Sequence, residues 1–282
     1  MKKLTGVLAA IDLDLWKRDS FRVKDAVLLC LFLIGVRFLS ALPSYVFRVD
    51  FGILYDLVFL GIVLVMLWQS GREEMAGILK WRKVPAALFF SLLVMFFGLE
   101  IIRREAGNIL VMLLPVPEGF FGASLRANAF QAFATLCFFP ALNEELFFRG
   151  IILKRLGRNY PGRTALWVSS LLFALMHLNP WQGLLATVSG LFFGWIYMEF
   201  KTIWLCIFFH GYNNLLANFF SFPLRYLPNR RTYTVLAVHP LWLDVCGALL
   251  FVLGFVLTWG ISPGRRPGTL PRSARKNSKD RL

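Results

Sequence analysis

Cysteine, histidine and acidic residues are all scarce in this chain of 282 residues, and each scarcity excludes something. The four cysteines (Cys30, Cys137, Cys206, Cys246) stand singly in separate apolar stretches, with no CxxC spacing. That excludes a disulfide framework and a cysteine metal knuckle, and leaves small apolar packing residues. Histidine occurs three times, and neither HExxH nor GxSxG is present. The zinc-protease helix and the serine nucleophile elbow are therefore both missing. Sixteen Asp and Glu face 31 Lys and Arg, for a formal charge of +15. The basic residues collect outside the apolar stretches, and no soluble domain is left to bind nucleic acid. An anionic cytoplasmic leaflet is the expected partner of that charge.

Apolar residues are abundant instead. They make up 57% of the chain, with 29 Phe and a mean hydropathy of +0.62, which indicates an integral membrane protein. Apolar stretches lie at about 25–43, 52–69, 85–102, 129–152, 164–178, 183–198, 202–220 and 241–260. Most approach the ~20 residues that cross a ~30 Å hydrocarbon core. The predicted fold is all-α, a polytopic transmembrane bundle of about eight spans. Residues 1–24 form a cytoplasmic lead-in, 25–262 the helical domain with its core at about 125–220, and 263–282 a basic, disordered tail. The fifth and sixth stretches are short, and a turn is expected at Asn179-Pro180-Trp181-Gln182. The first apolar run is broken by Asp12 and Asp14 and has no small-x-small cleavage site. Insertion is thus expected to be directed by the first span rather than by a cleavable signal peptide. Basic loops around Arg72–Lys83 and Lys154–Arg163, with the Arg-rich tail, orient both termini toward the cytoplasm.

Within this apolar setting, polar residues cluster in three places: Glu144-Glu145-x-x-x-Arg149, Phe173-x-x-x-His177 and His210-x-x-x-Asn214. Ionisable groups at bilayer depth are costly and are kept for chemistry or transport. Residues four apart share a helix face, so Glu145 pairs with Arg149, Phe173 packs on His177, and His210 neighbours Asn214. Glu144 is turned ~100° from Glu145, so the two carboxylates need not share a role. At ~1.5 Å per residue, Glu144 lies ~15 Å from Lys154, His177 ~21 Å from Arg163 and His210 ~13 Å from Lys201. Three helices therefore carry their polar groups to overlapping depths. Singly, each cluster reads as a structural ion pair, a packing histidine or an interhelical bridge; jointly they read as a site. A buried carboxylate can act as general base toward water, an imidazole can pass the proton on, and a second imidazole with an amide can bind an oxyanion. Glu144, His177, His210 and Asn214 fill those roles, with Glu145 and Arg149 in support. Zinc is an alternative, held by Glu144, His177 and His210. His239 has no partner spacing and reads as structural or exposed. Arg37 and Glu100 read as residues near helix ends that snorkel or pair.

The three motifs, in this order, resemble the signature of the CAAX-protease and bacteriocin-processing family, which includes type II CAAX prenyl endopeptidases and bacterial Abi-type proteins. The resemblance covers about 125–220. It implies an α-helical intramembrane endopeptidase in which Glu144 and His177 activate water, His210 and Asn214 stabilise the oxyanion, and Glu145 and Arg149 support the site. It also implies either a glutamate-type enzyme needing no cofactor or a zinc enzyme. The substrate is then a membrane-associated protein or peptide, and a bacterial cytoplasmic membrane is the favoured location. The competing readings are a non-catalytic membrane partner or chaperone using the same cavity, and a proton-coupled transporter. The transporter lacks support from internal repeats.

Overall fold

The computed structural model describes residues 21–47, 52–114, 129–218 and 238–261. Among these, every regular element is helical. The chain divides into two compact units, one built from 1–81 and 115–223 and the other from 82–114 and 224–282.

In the first unit, α1 (Val23–Phe47) and α2 (Gly52–Gln69) lead into the short α3 (Arg72–Leu79). The Asp25 carboxylate accepts the Arg22 backbone N–H at 2.7 Å, closing the first turn of α1. A helical rod follows: α5 (Ala129–Phe133), a π-helical stretch π1 (Ala134–Phe138), α6 (Phe139–Glu145), a second stretch π2 (Leu146–Leu153) and α7 (Lys154–Asn159). Pro140 explains the first widening. It has no N–H to donate one turn back, and its ring needs room against the preceding turn. The unit closes with α8 (Gly162–Leu175), α9 (Pro180–Phe200) and α10 (Ile203–Asn218). The α8 and α9 helices form a close pair, and α10 packs on α6, π1 and α9. Every residue of π2 is buried, so this stretch is the core of the unit.

The α8–α9 turn differs from the expectation. The sixth apolar stretch belongs to a 21-residue helix that opens on Pro180, so Trp181 and Gln182 are helical rather than turn residues. Asn179 is the N-cap, its side-chain oxygen accepting the Gln182 N–H at 2.7 Å. Asn at the cap and Pro in the first turn form a strong helix start, and that local chemistry overrides the hydropathy boundary. The turn is completed by Leu178 at φ 54°, a left-handed conformation rare for a leucine.

The second unit pairs α4 (Ala86–Leu113) with α11 (Leu241–Ile261). Glycines set their approach: a Cβ at Gly98 would fall on the backbone of Phe251, and one at Gly254 on that of Met95. Glu100, buried in mid-helix, takes a two-pronged bond from Arg103 at 2.8 and 2.7 Å. His239 is buried rather than exposed, its Nδ1 3.0 Å from Asp244 Oδ1.

Among the described residues, α4, α9 and α11 are long and apolar enough to cross a membrane, and Ile53–Gln69 and α8 are shorter apolar helices. The lead-in through residue 20 and the tail from residue 262 lie outside the described residues.

Candidate active site

The site is assembled from π2 and its neighbours. Glu144 and Glu145, at the end of α6, diverge as adjacent helical positions must. Glu145 is fully buried, whereas Glu144 keeps about a quarter of its side chain exposed, at 26%. One turn on, Arg149 returns Nη1 to Glu145 Oε1 at 2.7 Å and gives Nη2 to the Gly190 carbonyl at 2.9 Å. Its guanidinium lies 4.9 Å from the Phe173 ring and 5.6 Å from that of Phe193. A buried charge needs such compensation. Arg149 thereby joins α6, π2, α8 and α9 at one point.

His210, from α10, meets this pair. Its Nδ1 lies 2.8 Å from Glu145 Oε1. A carboxylate oxygen accepts, so the imidazole donates its Nδ1–H to it. Nε2 is 3.8 Å from Glu144 Oε2, too long for a direct hydrogen bond. The ring is fixed by stacking on Phe193 at 5.2 Å and by an edge contact with Phe173 at 5.6 Å. Glu145 thus does more than hold Arg149, because it sets the tautomer and orientation of His210.

His177 sits just past α8, its ring edge-on to Phe173 at 5.1 Å. Its Nδ1 is 3.0 Å from the Phe173 carbonyl. A carbonyl only accepts, so in the neutral ring Nδ1 carries the hydrogen and Nε2 is free to take a proton. A cavity of about 30 Å³ is lined by Glu144, His177, Arg37, Tyr55, Phe59, Phe148 and Met176. A water occupies roughly 10–15 Å³ on this measure, so one or two waters fit between the carboxylate and the imidazole.

Asn214 shares the α10 helix with His210. It lies one turn beyond His210, its side-chain oxygen accepts from Asn213 at 3.1 Å, and among the described residues it makes no hydrogen bond to His210. Asn143 is an anchor beside the carboxylates: fully buried, it donates to the Asp56 carbonyl at 2.9 Å and ties α6 to α2. Sequence reading missed Tyr55 and the Gly190 carbonyl. Neither carries a local signal, since both enter through contacts between distant helices.

Residues 126–216 match the family described as type II CAAX prenyl endopeptidase Rce1-like. Over that stretch the chain is similar to Rce1-like proteins. No curated protein matches the chain, and no solved structure does. The Rce1-like segment runs from just before α5 to near the end of α10, so it contains Glu144, Glu145, Arg149, His177, His210 and Asn214. Rce1-like proteins are proteases and integral membrane proteins, in accord with the apolar helices found here.

A zinc ion would be held by Glu144, His177 and His210. Both histidines present Nε2 with Nδ1 already hydrogen-bonded, as metal-ligating imidazoles do. Their spacing does not fit, however. Among the described residues, the trio with ligand atoms gathered within 4.8 Å is Glu105, His239 and Asp244, in the other unit. Hydrogen bonds account for that trio, since Glu105 Oε2 receives the His239 N–H and the Asn108 amide, each at 2.9 Å.

Proposed function

We propose that this protein is an intramembrane endopeptidase that hydrolyses a peptide bond of a membrane-associated protein or peptide. The observation that carries the reading is the small cavity in which Glu144 and the open Nε2 of His177 face space for water, within a segment that matches a protease family. Glu144 acts as general base, taking a proton as the water oxygen attacks the substrate carbonyl. His177 orients that water and passes the proton to the departing amine. Glu145 and Arg149 fix His210, whose Nε2 edge faces Glu144. His210 steadies the site when charge develops, and Asn214 assists only if substrate draws it inward. No metal enters this scheme, and a glutamate-type reaction is the form proposed.

The broader arrangement belongs to the same proposal. About eight spans with both termini in the cytoplasm set the site within reach of the inner leaflet of a bacterial cytoplasmic membrane. The basic loops hold anionic lipid there.

The test compares peptide termini in membranes of cells expressing wild type or Glu144→Ala at equal levels. New termini present only with wild type are expected, and chelator is expected to leave them unchanged. Identical profiles, with the cellular phenotype preserved by Glu144→Ala, would transfer the protein to the non-catalytic partner class. Loss of the termini in chelator and their return on adding zinc would replace the glutamate-type mechanism with a metal-assisted one.

A further inference from the structure

Arg37 stands out among the charged residues of the first unit. The α1 helix spans Val23–Phe47. At ~1.5 Å per residue Arg37 lies ~21 Å from its start and ~15 Å from its end, too deep for the near-end snorkelling position expected from sequence. Ala26, Cys30 and Leu33 are buried, and Arg37 continues their 3–4 residue stripe. Arg37 itself is exposed, at the open end of that stripe. Its guanidinium sits 5.9 Å from the Tyr55 ring, and among the described residues it has no carboxylate or carbonyl partner. Two buried arginines nearby are satisfied within the protein: Arg149 by Glu145 and Gly190, Arg155 by Ser70.

A cation in the middle of an apolar helix, open at a cavity rather than paired, is free to meet an anion that arises there. Arg37 and Tyr55 line the same cavity as Glu144 and His177, and Arg37 is the only cation in that lining. The expected oxyanion donors are elsewhere. Neither His210 nor Asn214 is in the lining of that cavity, and His210 is held by Glu145 through Nδ1.

We propose that Arg37, with the Tyr55 hydroxyl beside it, binds the oxyanion formed during hydrolysis. This rests on the endopeptidase reading. Water oxygen forms a bond to the carbonyl carbon, its proton goes to Glu144, and the carbonyl π pair moves to oxygen, where Arg37 and Tyr55 meet the charge. When the pair returns, the C–N bond breaks. The nitrogen leaves with the bonding electrons and takes the proton relayed through His177. The negative charge exists only in transit, so Arg37 acts mainly on the transition state.

The experiment uses the full chain in proteoliposomes. Its substrate is a fluorogenic peptide spanning a cleavage found only in wild-type membranes. Arg37→Ala is expected to lower kcat by ~10²–10³ with KM within about twofold, as for loss of an oxyanion donor. Arg37→Lys should recover part of the rate, and Tyr55→Phe should lose less than Arg37→Ala. Unchanged melting of Arg37→Ala and Arg37→Met in detergent separates this from misfolding. If Arg37→Ala keeps kcat, or raises KM alone, while Glu144→Ala is dead, the oxyanion role is refuted and the endopeptidase reading stands. If Glu144→Ala cleaves normally, or wild type yields no new termini, the endopeptidase reading fails and this role fails with it.

Discussion

Replacing Arg149 by methionine tests how the buried centre is held. Arg149 is 1% exposed, and it supplies one of the two groups that hydrogen-bond Glu145 Oε1, the other being His210. Removing the guanidinium leaves a fully buried carboxylate short of a counter-charge, takes away the second bond to the Gly190 carbonyl and removes two ring contacts. Breaking a buried pair from one side costs ~3–5 kcal/mol, and the lost bond to Gly190 about 1 more. These terms overlap, so a loss of about 4–6 kcal/mol is expected, a large share of the ~5–15 kcal/mol available to a folded domain. For a chain of this size that is a fall of roughly 10 °C or more in Tm. The double variant Glu145→Leu with Arg149→Met removes both charges. It should regain much of the stability, because no uncompensated ion remains, but not the activity, because His210 has lost the acceptor on Nδ1. Melting in detergent and cleavage in proteoliposomes read the two effects separately. A double variant as unstable as Arg149→Met, or one with wild-type cleavage, would refute the reasoning.

Other changes follow from the same contacts. Glu144→Gln should abolish cleavage while shifting Tm little, since the side chain is partly exposed; a large fall in Tm would make Glu144 structural. Asn143→Ala should destabilise by about 0.5–1.5 kcal/mol by removing the bond to the Asp56 carbonyl that ties α6 to α2, measured as a lower midpoint of unfolding. Gly98→Leu should disrupt the α4–α11 pair, because the added side chain meets the Phe251 backbone rather than a mobile group; cross-linking of cysteines placed on the two helices reads the loss.

The helical class was legible from composition and run length, because apolar stretches near bilayer length have few other solutions. The Glu145–Arg149 pair was legible as well, since a spacing of four on a helix decides it locally. The same spacing decides less for His210 and Asn214. It puts two residues on one face without saying which way that face turns, and in the structure the Asn214 oxygen accepts from Asn213. Arg37 shows a related limit. Its place in the chain suggested a helix end, but α1 is longer than the apolar stretch that marks it.

What the chain determined by itself was therefore local: helices, the i,i+4 ion pair, the divergence of two adjacent carboxylates and the Asn179-Pro180 helix start. Tertiary structure alone decided which carboxylate receives His210, which faces the cavity with His177, and that Arg37 and Tyr55 share that cavity. The physical reason lies in how helices meet. Intrahelical geometry repeats every few residues, whereas rotation between helices depends on the π-helical turns of the rod and on ring packing around Phe173 and Phe193, summed over the whole bundle.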